Sequence, residues 1–251
     1  MKKLFLSVIM IGLCAVSVPA QEAKECEAGA RERDFKGFTV SAQGGMLFSK
    51  NENTWTYYDD GRSTHTAGQL KANRDKLGYG LMDLFTPQGS ITVGYDFSHA
   101  FAARLQAGYA KNASAGNHNE ISAGGFYPYS FNTLSIFADA VLNISGLCAP
   151  QKQHLFETKV YAGLGCGIGL SADTEYVPVD LYKVSLGGAF GFRAGIIEEV
   201  YISKHIGAFL DLNLEAYTDR FNGVVPTDSK YDDNFPLDLR SVASLGLVYY
   251  F

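Results

Sequence analysis

Apolar residues recur at every second position over eight stretches of this chain, and that period constrains the fold more than any other feature. Successive side chains of a strand point to opposite faces, so period two marks a strand with one apolar face. Phe38, Val40, Ala42, Met46 and Phe48 share a face in the first stretch, and Ile91, Val93, Tyr95 and Phe97 in the second. Phe101, Ala103, Leu105, Ala107 and Tyr109 mark the third; Leu134, Ile136, Ala138, Ala140, Leu142 and Ile144 the fourth. Val160, Ala162, Leu164, Cys166, Ile168 and Leu170 mark the fifth; Val184, Leu186, Phe190, Phe192, Ala194 and Ile196 the sixth. Ile206, Ala208, Leu210, Leu212 and Leu214 mark the seventh; Leu239, Ala243, Leu245, Leu247, Tyr249 and Phe251 the eighth. The charges of these stretches take the opposite parity: Asp96, Arg104, Asp139, Glu157, Lys159, Arg193, Asp211, Glu215 and Arg240.

A water-soluble sandwich alternates as well, with its apolar faces turned inward. Here the apolar faces are long and uninterrupted, and the other face carries Gly, Ser and charges of both signs. Small residues and opposite charges suit a narrow barrel lumen, whereas Arg on a lipid face costs about 2–4 kcal/mol at mid-membrane. The expected fold is therefore all-β, an eight-stranded antiparallel up-and-down transmembrane barrel. A hairpin inside the long first loop would make ten strands. With 47% hydrophobic residues and a net charge of −5, disorder is excluded. A bundle of membrane helices would need repeated apolar runs of about 20 residues. A pI near 5.5 argues against a nucleic-acid partner.

Residues 1–20 read as a secretory signal peptide: Lys2 and Lys3, an apolar run from Leu4 to Val18, and a small residue, Ala20, before the expected cut at Gln21. Cys14 follows a bulky Leu13, which disfavours a lipoprotein signal. Residues 21–36 are charge-dense and read as a periplasmic N-terminal segment, leaving 37–251 for the barrel. Links near 98–100, 146–154 and 197–204 are short, while those near 49–88, 112–130, 172–182 and 220–236 are longer. Short periplasmic turns alternate with longer external loops in outer-membrane barrels.

The eighth stretch ends in Leu245, Leu247, Tyr249 and Phe251, which read as the C-terminal signal for the barrel assembly machinery. The stretches FADAVLN (137–143), VYAGLG (160–165), LDLNLE (210–215) and LGLVYYF (245–251) are strand and turn patterns rather than catalytic motifs. Over residues 37–251 the chain resembles the OmpA/OmpX-like small outer-membrane barrels, in particular OmpA-related barrels of gut-type anaerobic Gram-negative bacteria. The resemblance implies a bacterial outer-membrane location. Many such relatives carry a peptidoglycan-binding domain after the barrel; the chain stops at Phe251, so that tether is not expected.

Arg104, Asp139, Arg193, Asp211 and Glu215 are expected to form a charge network in the lumen, because unpaired burial is costly. A gate or narrow ion path is the alternative. Gly163, Gly165, Gly167 and Gly169 lie on the inward face of the fifth stretch, as a strip giving room to bulky neighbours and curving the wall. No Lys-Ser/Thr ending makes that strip a phosphate loop. Cys166 falls on the apolar face. Cys26 and Cys148 are both expected on the periplasmic side, as a disulfide or as two free thiols. His65, His99, His118, His154 and His205 have no metal-ligand spacing, so no metal, cofactor or catalysis is expected. Loop 49–88 holds Trp55, Tyr57, Tyr58, Tyr79 and Phe85, a candidate contact surface or a cover for the barrel mouth. The functional expectation is a monomeric structural envelope protein in contact with outer-membrane lipid and lipopolysaccharide. A narrow channel for small solutes, or a surface adhesin or receptor, is the alternative.

Overall fold

A computed structural model describes residues 36–50, 85–117, 126–148, 155–173, 182–184, 186–218, 224–226 and 237–251. Its elements are β1 (Gly37–Lys50), β2 (Phe85–Asp96), β3 (Phe101–Asn117), β4 (Phe126–Asn143), α1 (Ile144–Cys148) and β5 (Phe156–Asp173). β6 (Tyr182–Val184), β7 (Gly188–Tyr201), β8 (Ile206–Thr218), β9 (Val224–Pro226) and β10 (Leu237–Tyr250) follow. Eight of the strands close a barrel in the order β1-β10-β8-β7-β5-β4-β3-β2, all antiparallel. Closure satisfies every wall strand on both edges, which a lipid environment requires.

Stepping across ladder partners from Val40 passes Val93, Leu105, Ala138, Leu164, Phe192, Ala216 and Leu239, and returns to β1 at Lys50, ten residues further on. At about 3.3 Å per residue and about 4.8 Å between strands, that stagger tilts each strand by about 40° and sets a radius of about 8 Å. A lumen of that width is filled by its own side chains.

The ten-strand alternative is not what forms. β1 and β2 are direct neighbours, so no hairpin from residues 51–84 enters the wall, although that segment itself lies outside the described residues. The two further strands are β6 and β9, which pair with each other as a separate sheet. They keep the residue offset of β7 with β8 (Gly191↔Tyr217, Val184↔Val224), so they carry the same hairpin on from its open end. Val184 therefore belongs to β6 and not to the barrel strand that follows it. The link expected over 112–130 is also shorter. β3 and β4 stay paired out to Asn117 and Phe126, where no apolar period marks a strand.

Two of the short turns repeat one design. In residues 97–101, Phe97 N and Ser98 N donate to Phe101 O, while Ser98 Oγ accepts from Ala100 N and Phe101 N at 3.2 and 3.1 Å. In residues 202–206, Ile202 N and Ser203 N donate to Ile206 O, and Ser203 Oγ accepts from His205 N and Ile206 N at 3.3 and 3.1 Å. A serine that binds the backbone two and three residues on replaces the glycine that tight turns otherwise need. The third link begins with α1, where Asn143 Oδ1 accepts from Gly146 N at 3.1 Å. A side chain at Gly146 would collide with the carbonyl of His99, so only glycine lets α1 sit against the first turn.

Candidate functional site

The barrel's outer face is built from the residues the alternation marked. Ile91, Leu105, Leu164, Phe192, Leu214 and Leu245 all stand exposed, as does Phe190 at 75%. Rings gather at the end of the barrel that holds the turns: Phe38 packs edge-on to Tyr95 at 4.9 Å, Tyr95 to Phe97 at 5.2 Å, and Tyr249 to Phe251 at 5.0 Å. Phe48 and Phe85 pair at 5.3 Å toward the other end. Phe85 starts β2 and is not a loop aromatic. An apolar band bounded by aromatic rings is the surface that a bilayer and its interfaces select. Leu105 is the fifth residue of β3 and exposed on its outer face, about halfway along the roughly ten residues a strand needs to cross a bilayer. Leu105→Arg should lower unfolding stability in vesicles by about 2–4 kcal/mol, read by urea titration of the folded band.

Leu245, Leu247, Tyr249 and Phe251 face outward on β10, with Phe251 74% exposed. Phe251 N donates to Phe38 O at 3.1 Å, and His205 stacks on Tyr249 at 5.9 Å with its Nδ1 3.0 Å from Tyr250 O. The intervening Val248 and Tyr250 are buried, and the sequence reading gave them no role.

Inside, four of the five expected charges meet. Arg104 Nε lies 2.5 Å from Asp139 Oδ2, and Arg193 Nε donates to Asp139 Oδ1 at 2.7 Å. Arg193 also binds Gln106 Oε1, and Arg104 Nη2 stands 3.7 Å from Asp211 Oδ2. Tyr161 donates to Asp211 Oδ1 at 2.7 Å, with the Arg104 guanidinium 3.8 Å above its ring. Two guanidinium groups thus face two carboxylates, and the level is neutral. The partners come from β3, β4, β5, β7 and β8, so their contacts cross the lumen.

Glu215 does not join this group. It pairs with Arg240 and accepts from Tyr217 at 3.0 Å, one level nearer the open ends of the hairpins. Arg240 reaches across to Asn112 Oδ1 at 3.2 Å and Thr133 Oγ1 at 3.1 Å. The ladder places Glu215 beside both Arg193 and Arg240, and Arg193 is already turned to Asp139 and Gln106. A third level lies toward the turns. Lys159 Nζ contacts Glu199 at 2.6 Å, Glu157 at 3.5 Å and Tyr250 Oη at 3.4 Å. Tyr201 donates to Glu157 at 2.9 Å. Glu199 lies beyond the sixth apolar stretch as read from sequence, so parity alone did not reach it.

The lumen is also more apolar than its parity suggested. Val141, Tyr161, Ile197, Phe209, Val248 and Tyr250 pack into one buried cluster between the Lys159 level and the Arg104 level. These residues sit at inward positions of five strands, where the sequence reading expected only small and polar groups. Leu47, Ala110 and Val242 form a second cluster near the Arg240 level. A narrow barrel is filled like a core, so apolar side chains take the space between ion pairs.

Gly163 and Gly165 of the expected β5 strip make room for bulky neighbours. A Cβ at Gly163 would collide with the Asp139 carboxylate, and one at Gly165 would lie 2.5 Å from Phe137 Cδ1. The same device recurs outside that strip: Tyr161 lies over Gly195 and Phe209 over Gly246, each on the ladder partner. β5 also carries a bulge, since Thr133 pairs Gly169 while Asn132 pairs Ser171.

Cys166 is exposed on the outer face, and Cys148 is exposed at the end of α1; Cys26 lies outside the described residues. Trp55, Tyr57, Tyr58 and Tyr79 lie outside them too, as do His65, His118 and His154. Among the described residues no three His, Cys, Asp or Glu side chains group as a metal site, and no helix is long and apolar enough to cross a membrane.

No protein-family model and no curated protein matches the chain. Solved structures similar to it include Neisserial surface protein A, 15% identical over 86% of this chain and 97% of that one, TM-score 0.45. The outer membrane protein OprG from Pseudomonas aeruginosa is 11% identical over 86% and 97%, TM-score 0.49. A major outer membrane protein from Thermus thermophilus is 12% identical over 86% and 99%, TM-score 0.46. By its own geometry, closed and antiparallel, apolar outside and ion-paired within, the chain is a transmembrane β-barrel.

Proposed function

We propose that this protein is a structural component of a bacterial outer membrane, a closed monomeric barrel that stiffens the envelope and holds its longer loops at the surface. The observation that carries this reading is the lumen: side chains bridge it at three charged levels with apolar packing between them. A chain built to pass solutes would leave that space open. The outward Leu245, Leu247, Tyr249 and Phe251 support recognition by the assembly machinery during insertion. The apolar belt supports contact with lipid and with the acyl chains of lipopolysaccharide.

Planar-bilayer recording of refolded protein tests the closed barrel. Silence, or brief events near background, is the expected result. Large steady single channels would replace the structural reading with a pore.

A further inference from the structure

We propose that the barrier to permeation through this barrel is the apolar layer of Val141, Ile197, Phe209 and Val248, and not the ion-pair levels on either side of it. The inference rests on the closed-barrel reading and locates the seal within it.

Ion pairs alone make a poor seal. Arg104 Nη2 and Asp211 Oδ2 stand 3.7 Å apart with neither forming a hydrogen bond. A contact of that length is one that water can bridge. The inner faces of β1 and β2 add Gln43, Ser90 and Thr92 at this level, a wall of neutral polar groups.

The apolar layer differs in kind. Val141 stands on β4, Ile197 on β7, Phe209 on β8 and Val248 on β10, and with Tyr161 on β5 they form one buried cluster that runs strand to strand along the inner wall from β4 to β10. In a barrel of about 8 Å radius, inward side chains from five of its eight strands fill the lumen at this level. Phe209 lies over Gly246, where a Cβ would collide with the ring, so the glycine seats the largest member. The hydroxyls of Tyr250 and Tyr161 in the same cluster are taken by Glu199 and Asp211, so the four layer residues themselves offer water no hydrogen-bonding side chain, and an apolar constriction excludes water and ions by dewetting.

The test is planar-bilayer conductance of three refolded proteins beside the parent, each checked for the heat-modifiable gel shift of a folded barrel. Phe209→Ser removes the ring and adds a hydroxyl. Val248→Thr keeps the volume and adds only a hydroxyl, so it remains informative if the first variant does not fold. The double variant Arg104→Gln, Asp139→Asn removes the Arg104–Asp139, Arg193–Asp139 and Arg104–Asp211 ion pairs and leaves the layer intact. Phe209→Ser should give discrete events at least tenfold above the parent's background, and Val248→Thr should raise event frequency; the double variant should stay at the parent's level. Folded Phe209→Ser or Val248→Thr no more conductive than the parent would overturn the proposal, as would conduction from the double variant alone. A parent that conducts steadily by itself refutes the closed barrel, a separate result from failure of the seal.

Discussion

Arg193→Leu is expected to lower the unfolding stability of the barrel by about 3–5 kcal/mol, the range for removing one partner of a buried charge pair. Arg193 holds both oxygens of Asp139, through Nε at 2.7 Å and Nη2 at 2.5 Å, and binds Gln106 as well. Without it, Asp139 keeps only Arg104, which is itself shared with Asp211. The carboxylate is fully buried, so solvent cannot replace the lost donors. Adding Asp139→Asn to the variant should recover part of the loss, because the orphaned charge rather than the missing contact dominates the cost. Urea titration in lipid vesicles, scored by the folded gel band, reads both. A loss under about 1 kcal/mol for Arg193→Leu would mean that water compensates Asp139 and the network is not structural.

Gly165→Val should prevent the barrel from reaching its folded, heat-modifiable form. A Cβ there would collide with the carbonyl of Ile136 and come within 2.5 Å of Phe137 Cδ1. Overpacking a core commonly costs about 1–3 kcal/mol, and this site adds backbone collision on the paired strand. Gly165→Ala combined with Phe137→Leu should restore part of the folded yield, since the ring is one of the two obstacles. Gly44→Ala is the control. Gly44 faces outward and its nearest contact would be at 3.8 Å, so the yield should not change. Equal yields of Gly165→Val and the parent would show that the glycine strip has no packing role.

The wall of this barrel was legible in the sequence because lipid imposes a rule on every second residue. Leu105, Leu164, Phe192 and Leu245 obey it, and Arg104, Asp139, Arg193 and Asp211 fall on the other parity. The lumen obeys no such rule. Val141, Ile197, Phe209 and Val248 sit at inward positions because the space is narrow, and hydropathy alone cannot separate a core residue from a misplaced lipid contact. Pairing inside the lumen depends on register. Glu215 neighbours two arginines on the ladder, and the choice of Arg240 follows from what Arg193 already binds. β6 and β9 are three residues each, too short for any period to appear.

The pairing of β1 with β10, from Thr39↔Tyr250 to Lys50↔Leu239, has a kinetic consequence. The seam joins segments about as distant in sequence as the barrel allows, so its loop-closure cost falls late and folding is expected to be slow. Until the seam forms, β1 and β10 are both open edges, each able to pair with a foreign strand. An unfinished barrel of this kind is adhesive at two sides, and needs an escort until those two strands find each other.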